Sequence, residues 1–152
     1  MNGNPDWYRG RFDWEALDIA DDEMGDGQVV AWAEEQLATK HEKPLFLAVG
    51  IYRPHIPWWT PKRYFDQNPL DGIQLPKTQA DDLEDIPAAG REFPREHWQK
   101  WIVKNDQWKK AVQGYLASVS FTDAMVGRLL TALERGPMAK NTIVVLWSDH
   151  GY

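Results

Sequence analysis

The sequence predicts an α/β fold: part of a mostly parallel sheet flanked by helices. Three observations carry that expectation. Two short apolar runs, at 45–52 and 143–147, have the length and composition of strands buried on both faces. Each run follows a stretch of helical periodicity. Strands joined through helices pair in parallel, because the crossover connection then returns to the same sheet edge.

The elements follow in chain order. Residues 1–24 are polar and acidic with scattered aromatics (Trp7, Tyr8, Phe12, Trp14) and read as irregular. The acids Asp18, Asp21, Asp22, Glu23 and Asp26 could bind a cation, but read better as a solvated loop entering a helix N-terminus, where negative charge meets the helix dipole. From about 26 to 40, Val29, Val30, Trp32, Ala33 and Leu37 recur at helical spacing. Lys43-Pro44 breaks that pattern, and the first apolar run begins. Residues 53–95 form a proline-rich excursion: eight of the ten prolines lie between Pro44 and Pro94. Each proline removes an N–H and restricts the residue before it, so regular helix or central strand is hard to build there. Its Trp58, Trp59, Tyr64 and Phe65 predict that the excursion packs against other parts of the chain. Helical periodicity resumes from about 97 to 135 through Trp108, Val112, Tyr115, Leu116, Val119, Val126, Leu129, Leu130 and Leu133, and Gly136-Pro137 ends it. The second run, 141–147, leads into Ser148-Asp149-His150-Gly151-Tyr152.

Composition excludes several chemistries. The chain has 152 residues and no cysteine, so it holds no disulfide, thiolate zinc site, iron–sulfur cluster or cysteine nucleophile. Its 17 basic and 23 acidic residues give a charge of −6 and no basic stripe, which argues against nucleic acid as a partner. No uninterrupted apolar run approaches ~18 residues, so no membrane span is expected. Met1-Asn2-Gly3-Asn4-Pro5 lacks the basic and apolar regions of a signal peptide.

Ligands of open α/β sheets bind beyond the carboxyl ends of the strands. The first run leads into Arg53-Pro54-His55-Ile56-Pro57 and the second into Ser148-Asp149-His150. Parallel strands would bring His55, Asp149 and His150 to one sheet edge, a set suited to metal or acid–base work. Each residue also has a plainer reading: Asp149 as a helix or turn cap, His150 as a turn residue, His55 as a packed loop histidine. His41 and His97 sit among Lys, Glu and Gln and read as surface residues.

The stretch Lys43-Pro44-Leu45-Phe46-Leu47-Ala48-Val49-Gly50-Ile51-Tyr52-Arg53-Pro54-His55-Ile56-Pro57 resembles formylglycine-dependent sulfatases, most of all the iduronate-2-sulfatase and choline-sulfatase group. Tyr115-Leu116-Ala117-Ser118-Val119-Ser120-Phe121-Thr122-Asp123, Val126-Gly127-Arg128, and Asn141-Thr142-Ile143-Val144-Val145 through Tyr152 resemble the same group in the same order. The resemblance implies a piece of an alkaline-phosphatase-like catalytic domain over 1–152. It implies Asp149 and His150 as ligands of a divalent metal, calcium in that family, with Asp149 the better match to a hard cation. It implies His55 as a catalytic, sulfate-contacting residue and Tyr152 as a residue near the substrate. The implied substrate is a sulfate-ester small molecule or a sulfated glycan; a secreted or periplasmic parent enzyme is expected. The family nucleophile is a formylglycine made from cysteine, which this chain lacks, so an internal fragment without turnover of its own is expected. Asp21-Asp22 follows no buried strand and takes no metal role by this resemblance. A phosphatase or phosphodiesterase of the same superfamily, or an inactive glycan-binding remnant, remain the alternatives. Oligomeric state is not legible.

Overall fold

Two four-residue strands, β1 (Trp14–Leu17) and β2 (Trp58–Pro61), pair in parallel with Trp14 opposite Trp58 and Leu17 opposite Pro61. The structure is a computed structural model that describes residues 12–79, 81–91 and 96–150. Its helices are α1 (Gly25–Ala38), α2 (Lys62–Gln67), α3 (Ala88–Arg91), α4 (Glu96–Lys104) and α5 (Trp108–Arg135), with 3₁₀ turns at Asp21–Glu23 and Leu70–Gly72. The described residues up to Ile19 and from Arg53 to Phe121 form one compact unit. Those from Ala20 to Tyr52 and from Thr122 onward form the other.

The first unit holds the sheet. Its core is aromatic: Phe12, Trp14, Ile102 and Ala111 are buried, and Ile56, Trp58, Trp98, Trp101 and Trp108 pack against them. Phe12 stacks on Trp98 at 4.8 Å and meets Trp14 and Trp58 edge-on, arrangements that suit the ring quadrupoles. Helix α5 presses on β1 through a glycine. A Cβ at Gly114 would lie 2.5 Å from the Trp14 Cβ, so no larger residue fits without displacement. The short α2 is tied to α5 by polar side chains. Gln113 donates to the Asn68 carbonyl at 2.8 Å, and Asn68 donates to Ser120 Oγ at 3.0 Å. Helix α4 ends with Asp106 at φ 53°, its N–H on the Val103 carbonyl and the Gln107 N–H on the Ile102 carbonyl. That is a Schellman closure with aspartate in the left-handed position, and it divides the expected helix over 97–135 into α4 and α5.

In the second unit the 3₁₀ turn leads straight into α1. Glu23 reaches back to accept the Ala20 N–H at 2.7 Å, half of a capping box. Gly27 lets the turn and the helix meet: a Cβ there would lie 1.9 Å from the Asp21 carbonyl oxygen. Helix α1 buries Val30, Ala33 and Leu37, the three- and four-residue spacing that the sequence predicts. Val29 and Trp32, expected on that stripe, are exposed.

Fold class agrees with expectation: helices flank a parallel sheet. The strands, however, differ from those expected. Residues 45–52 and 143–147 pair with no described strand and are not buried on both faces. Phe46 and Ile143 are each 91% exposed. The ladder forms instead at β1, in a segment read as irregular, and at β2, inside the proline-rich excursion. Regular elements do form in that proline-rich stretch, but none of those described between 53 and 91 exceeds six residues. By length and composition α5 is the one described helix apolar enough to cross a membrane. Its buried Ala111, Ala117, Ser118, Phe121 and Met125 are packing positions.

Candidate functional site

His55 sits in a loop between Arg53 and Trp59 that is tied by its own side chains. Trp58 Nε1–H donates to the Pro54 carbonyl at 2.8 Å, and Arg53 Nε–H donates to the Trp59 carbonyl at 3.3 Å. The bonds Arg53–Pro54 and Ile56–Pro57 are cis. His55 itself is exposed, and its Nδ1 lies 2.6 Å from the Ile56 carbonyl oxygen. A carbonyl accepts and cannot donate, so Nδ1 carries a proton.

The last residue before this loop, Tyr52, is held in the second unit. Its N–H donates to Asp26 Oδ1 at 2.9 Å, and Asp26 is buried. The acidic stretch is therefore not uniformly solvated: Asp26 is a structural acceptor at the start of α1. Asp22 and Glu34 are also engaged, both by Arg128. Its Nε and Nη2 grip the two Glu34 oxygens at 3.0 and 2.6 Å, and its Nη1 meets Asp22 Oδ1 at 2.6 Å. The Glu34 hydrogen bond, opposed by partial burial and reinforced by Asp22, raises the guanidinium above its ordinary range.

Asp149 and His150 lie together, His150 Nε2 3.4 Å from Asp149 Oδ2, with both side chains exposed. They fit a divalent cation as one carboxylate and one imidazole. Calcium takes about six to eight oxygen ligands, so the pair is part of a donor set and not a whole one. Among the described residues no three His, Cys, Asp or Glu side chains gather in a metal-binding group. Among the described residues, 45–52 and 143–147 join no strand ladder. His55 belongs to the first unit, Asp149 and His150 to the second. Tyr152 lies outside the described residues, as does the His97 side chain. His41 is half-buried, with Nε2 3.0 Å from the Gln36 carbonyl oxygen.

The sulfatase family profile matches residues 2–152, all but the first residue. The chain belongs to the sulfatase family. A sulfatase of Formosa agariphila is 47% identical over 143 residues, which covers 92% of this chain and 28% of that protein. Human iduronate 2-sulfatase is 33% identical over 156 aligned positions, covering 91% of this chain and 28% of its own length. A choline-sulfatase of Rhizobium meliloti is 27% identical over 110 residues, covering 72% and 22%. The chain thus spans about 28% of the length of the first two of these sulfatases.

Sequence reasoning missed Asp26 as the acceptor of the Tyr52 N–H and Trp58 as a support of the His55 loop. Asp26 was hidden among four other acids. The Trp58 indole contact runs to a backbone carbonyl, for which no residue pattern stands.

Proposed function

We propose that this chain is the part of a sulfatase domain that supplies a sulfate-contacting histidine, His55, and two ligands of a divalent metal, Asp149 and His150. Family membership carries the reaction class, and the tied loop around His55 supports the residue assignment. Sulfate oxygens accept hydrogen bonds. With Nδ1–H engaged by the Ile56 carbonyl, contact through Nε2 requires a proton there too, so the imidazolium is the binding form. That same Nε2 proton is the one available to a leaving alcohol as the S–O bond breaks. Asp149 and His150 would hold the cation, calcium by the chemistry of the carboxylate, and the bound ion would neutralise charge developing on the sulfate ester. With no cysteine to supply a formylglycine, the 152-residue chain binds and does not turn over.

Nuclear magnetic resonance of the chain with labelled histidine tests this reading. Added 4-nitrophenyl sulfate should shift His55 Nε2, and added Ca2+ should shift Asp149 and His150 without release of 4-nitrophenol. Turnover by pure chain, or a His55 signal indifferent to the sulfate ester, refutes the assignment. A stronger response to 4-nitrophenyl phosphate would favour the phosphoryl-transfer branch of the superfamily.

A second reading has one observation behind it. Phe12, Trp58, Trp98, Trp108 and Tyr115 line an open hollow of about 370 Å³, whose aromatic faces suit stacking on a sugar ring. Affinity for a sulfated sugar that persists in chelator and is lost in Trp108→Ala would support it.

A further inference from the structure

We propose that Trp58 is a positioning residue for His55, acting through the peptide group between Pro54 and His55. This rests on the reading of His55 as the sulfate-contacting side chain. A peptide is planar, so fixing its carbonyl oxygen fixes the orientation of the whole group, including the nitrogen from which His55 departs. The Trp58 indole N–H fixes that oxygen at 2.8 Å. On the other side of His55, the Ile56 carbonyl receives the ring Nδ1–H at 2.6 Å. The residue is therefore gripped at the peptide before it and the peptide after it, and its ring is set in one tautomer.

Trp58 can serve as a fixed point because it is itself anchored three ways. Its backbone N–H donates to the Asp13 carbonyl at 2.8 Å, beside the β1–β2 ladder. Its ring meets Phe12 edge-on at 5.6 Å and Tyr115 edge-on at 5.6 Å. Strand β2 thus begins with a side chain that faces back over its own entry loop. Arg53, donating to the Trp59 carbonyl, closes the same loop from the opposite end. Side-chain entropy favours tryptophan in such a role, since few rotors have to be frozen and the sheet and aromatic core already hold them.

The test separates the indole N–H from the bulk of the ring. Trp58 is replaced by phenylalanine and, in a second variant, by benzothienylalanine, which keeps the two-ring shape and lacks the N–H. Trp101→Phe serves as a packing control in the same aromatic core. The readout is the tautomer ratio of neutral His55 from its ring nitrogen shifts in the 152-residue chain, followed by titration with 4-nitrophenyl sulfate. Both Trp58 variants should raise the share of the minor tautomer about fivefold, the weight of one neutral hydrogen bond, and weaken sulfate-ester binding by a similar factor. Trp101→Phe should leave both unchanged. An unaltered ratio in the benzothienylalanine variant overturns the proposal, and so does an equal change in Trp101→Phe. If the ratio shifts as expected while neither parent nor variant responds to the sulfate ester, Trp58 still positions His55 and the sulfate assignment fails instead.

Discussion

Arg128 offers the sharpest energetic test of the second unit. One guanidinium there joins α5 to α1 through Glu34 and to the preceding 3₁₀ turn through Asp22. The Glu34 contact is bidentate, a geometry only arginine provides. Exposure decides its worth. Arg128 and Glu34 side chains are 27% and 30% exposed, whereas Asp22 is 67% exposed. A fully exposed pair contributes about 0–1 kcal/mol, and a well-formed hydrogen bond to a charged group about 1.5–3 kcal/mol. Discounted for the remaining solvent screening, the Arg128–Glu34 coupling should be about 1–2 kcal/mol, and the Asp22 contact a few tenths at most.

A double-mutant cycle with Arg128→Gln and Glu34→Gln, read by urea unfolding, measures that coupling directly. Arg128→Lys keeps the charge, loses the fork and should lose about half of it. Raising salt from ~0.1 to ~1 M shortens the screening length from about 10 to about 3 Å, and should remove the Asp22 share before the Glu34 share. The pH sign is fixed by the raised guanidinium. Its stabilisation is fully present below the ordinary arginine range and is lost only above it, so the coupling should be flat from pH 7 to pH 10. A coupling below about 0.3 kcal/mol, the usual error of additivity, would refute the reasoning and make Arg128 a solvated surface charge.

Two further outcomes follow from packing and exposure. Gly114→Ala should gain about 1 kcal/mol of helix propensity and lose about 1–3 kcal/mol to the clash with Trp14, for a net lower urea midpoint; a raised midpoint would show that α5 does not lean on β1 there. Residues 143–147 combine high strand propensity with no charge and exposed Ile143, Val144, Val145, Leu146 and Trp147, so the chain should self-associate through them, and Val144→Lys should lower light scattering at equal concentration; scattering unchanged by that substitution would locate the association elsewhere.

The legible part of the fold was local. Helix α1 announced itself through Val30, Ala33 and Leu37, and Gly136 marked the end of α5 within a residue. The face of α5 was misread for a physical reason. Hydrophobicity points to Val119 and Leu130, yet both are exposed, and the buried face is Ala111, Gly114, Ala117, Ser118, Phe121 and Met125. Small residues carry little apolar area, so they are faint in any hydrophobic pattern, but they set how closely a helix approaches a strand. The ladder was hidden for a related reason. Trp14–Leu17 and Trp58–Pro61 are four residues each, too short for alternation to stand out, and one contains proline. The candidates His55, Asp149 and His150 stand out in the sequence as residue types after apolar runs; the indole that steadies the His55 loop does not, because an indole-to-carbonyl contact leaves no trace in spacing.

The two apolar runs show what hydrophobicity does and does not specify. Along 46–52 exposure alternates: Leu47, Val49 and Ile51 are half-buried, while Phe46, Ala48, Gly50 and Tyr52 face solvent. The backbone has therefore taken the extended, two-residue repeat that its composition favours, and only the lateral hydrogen-bonding partner is missing among the described residues. Conformation here is a property of the segment, whereas pairing is a property of whatever lies beside it. The candidate residues sit where each apolar run gives way to polar residues, His55 three residues after Tyr52 and Asp149 two residues after Trp147. Nothing in those short links needs a ladder to exist, and the local supports of His55, through Trp58 and Ile56, set its ring within the first unit.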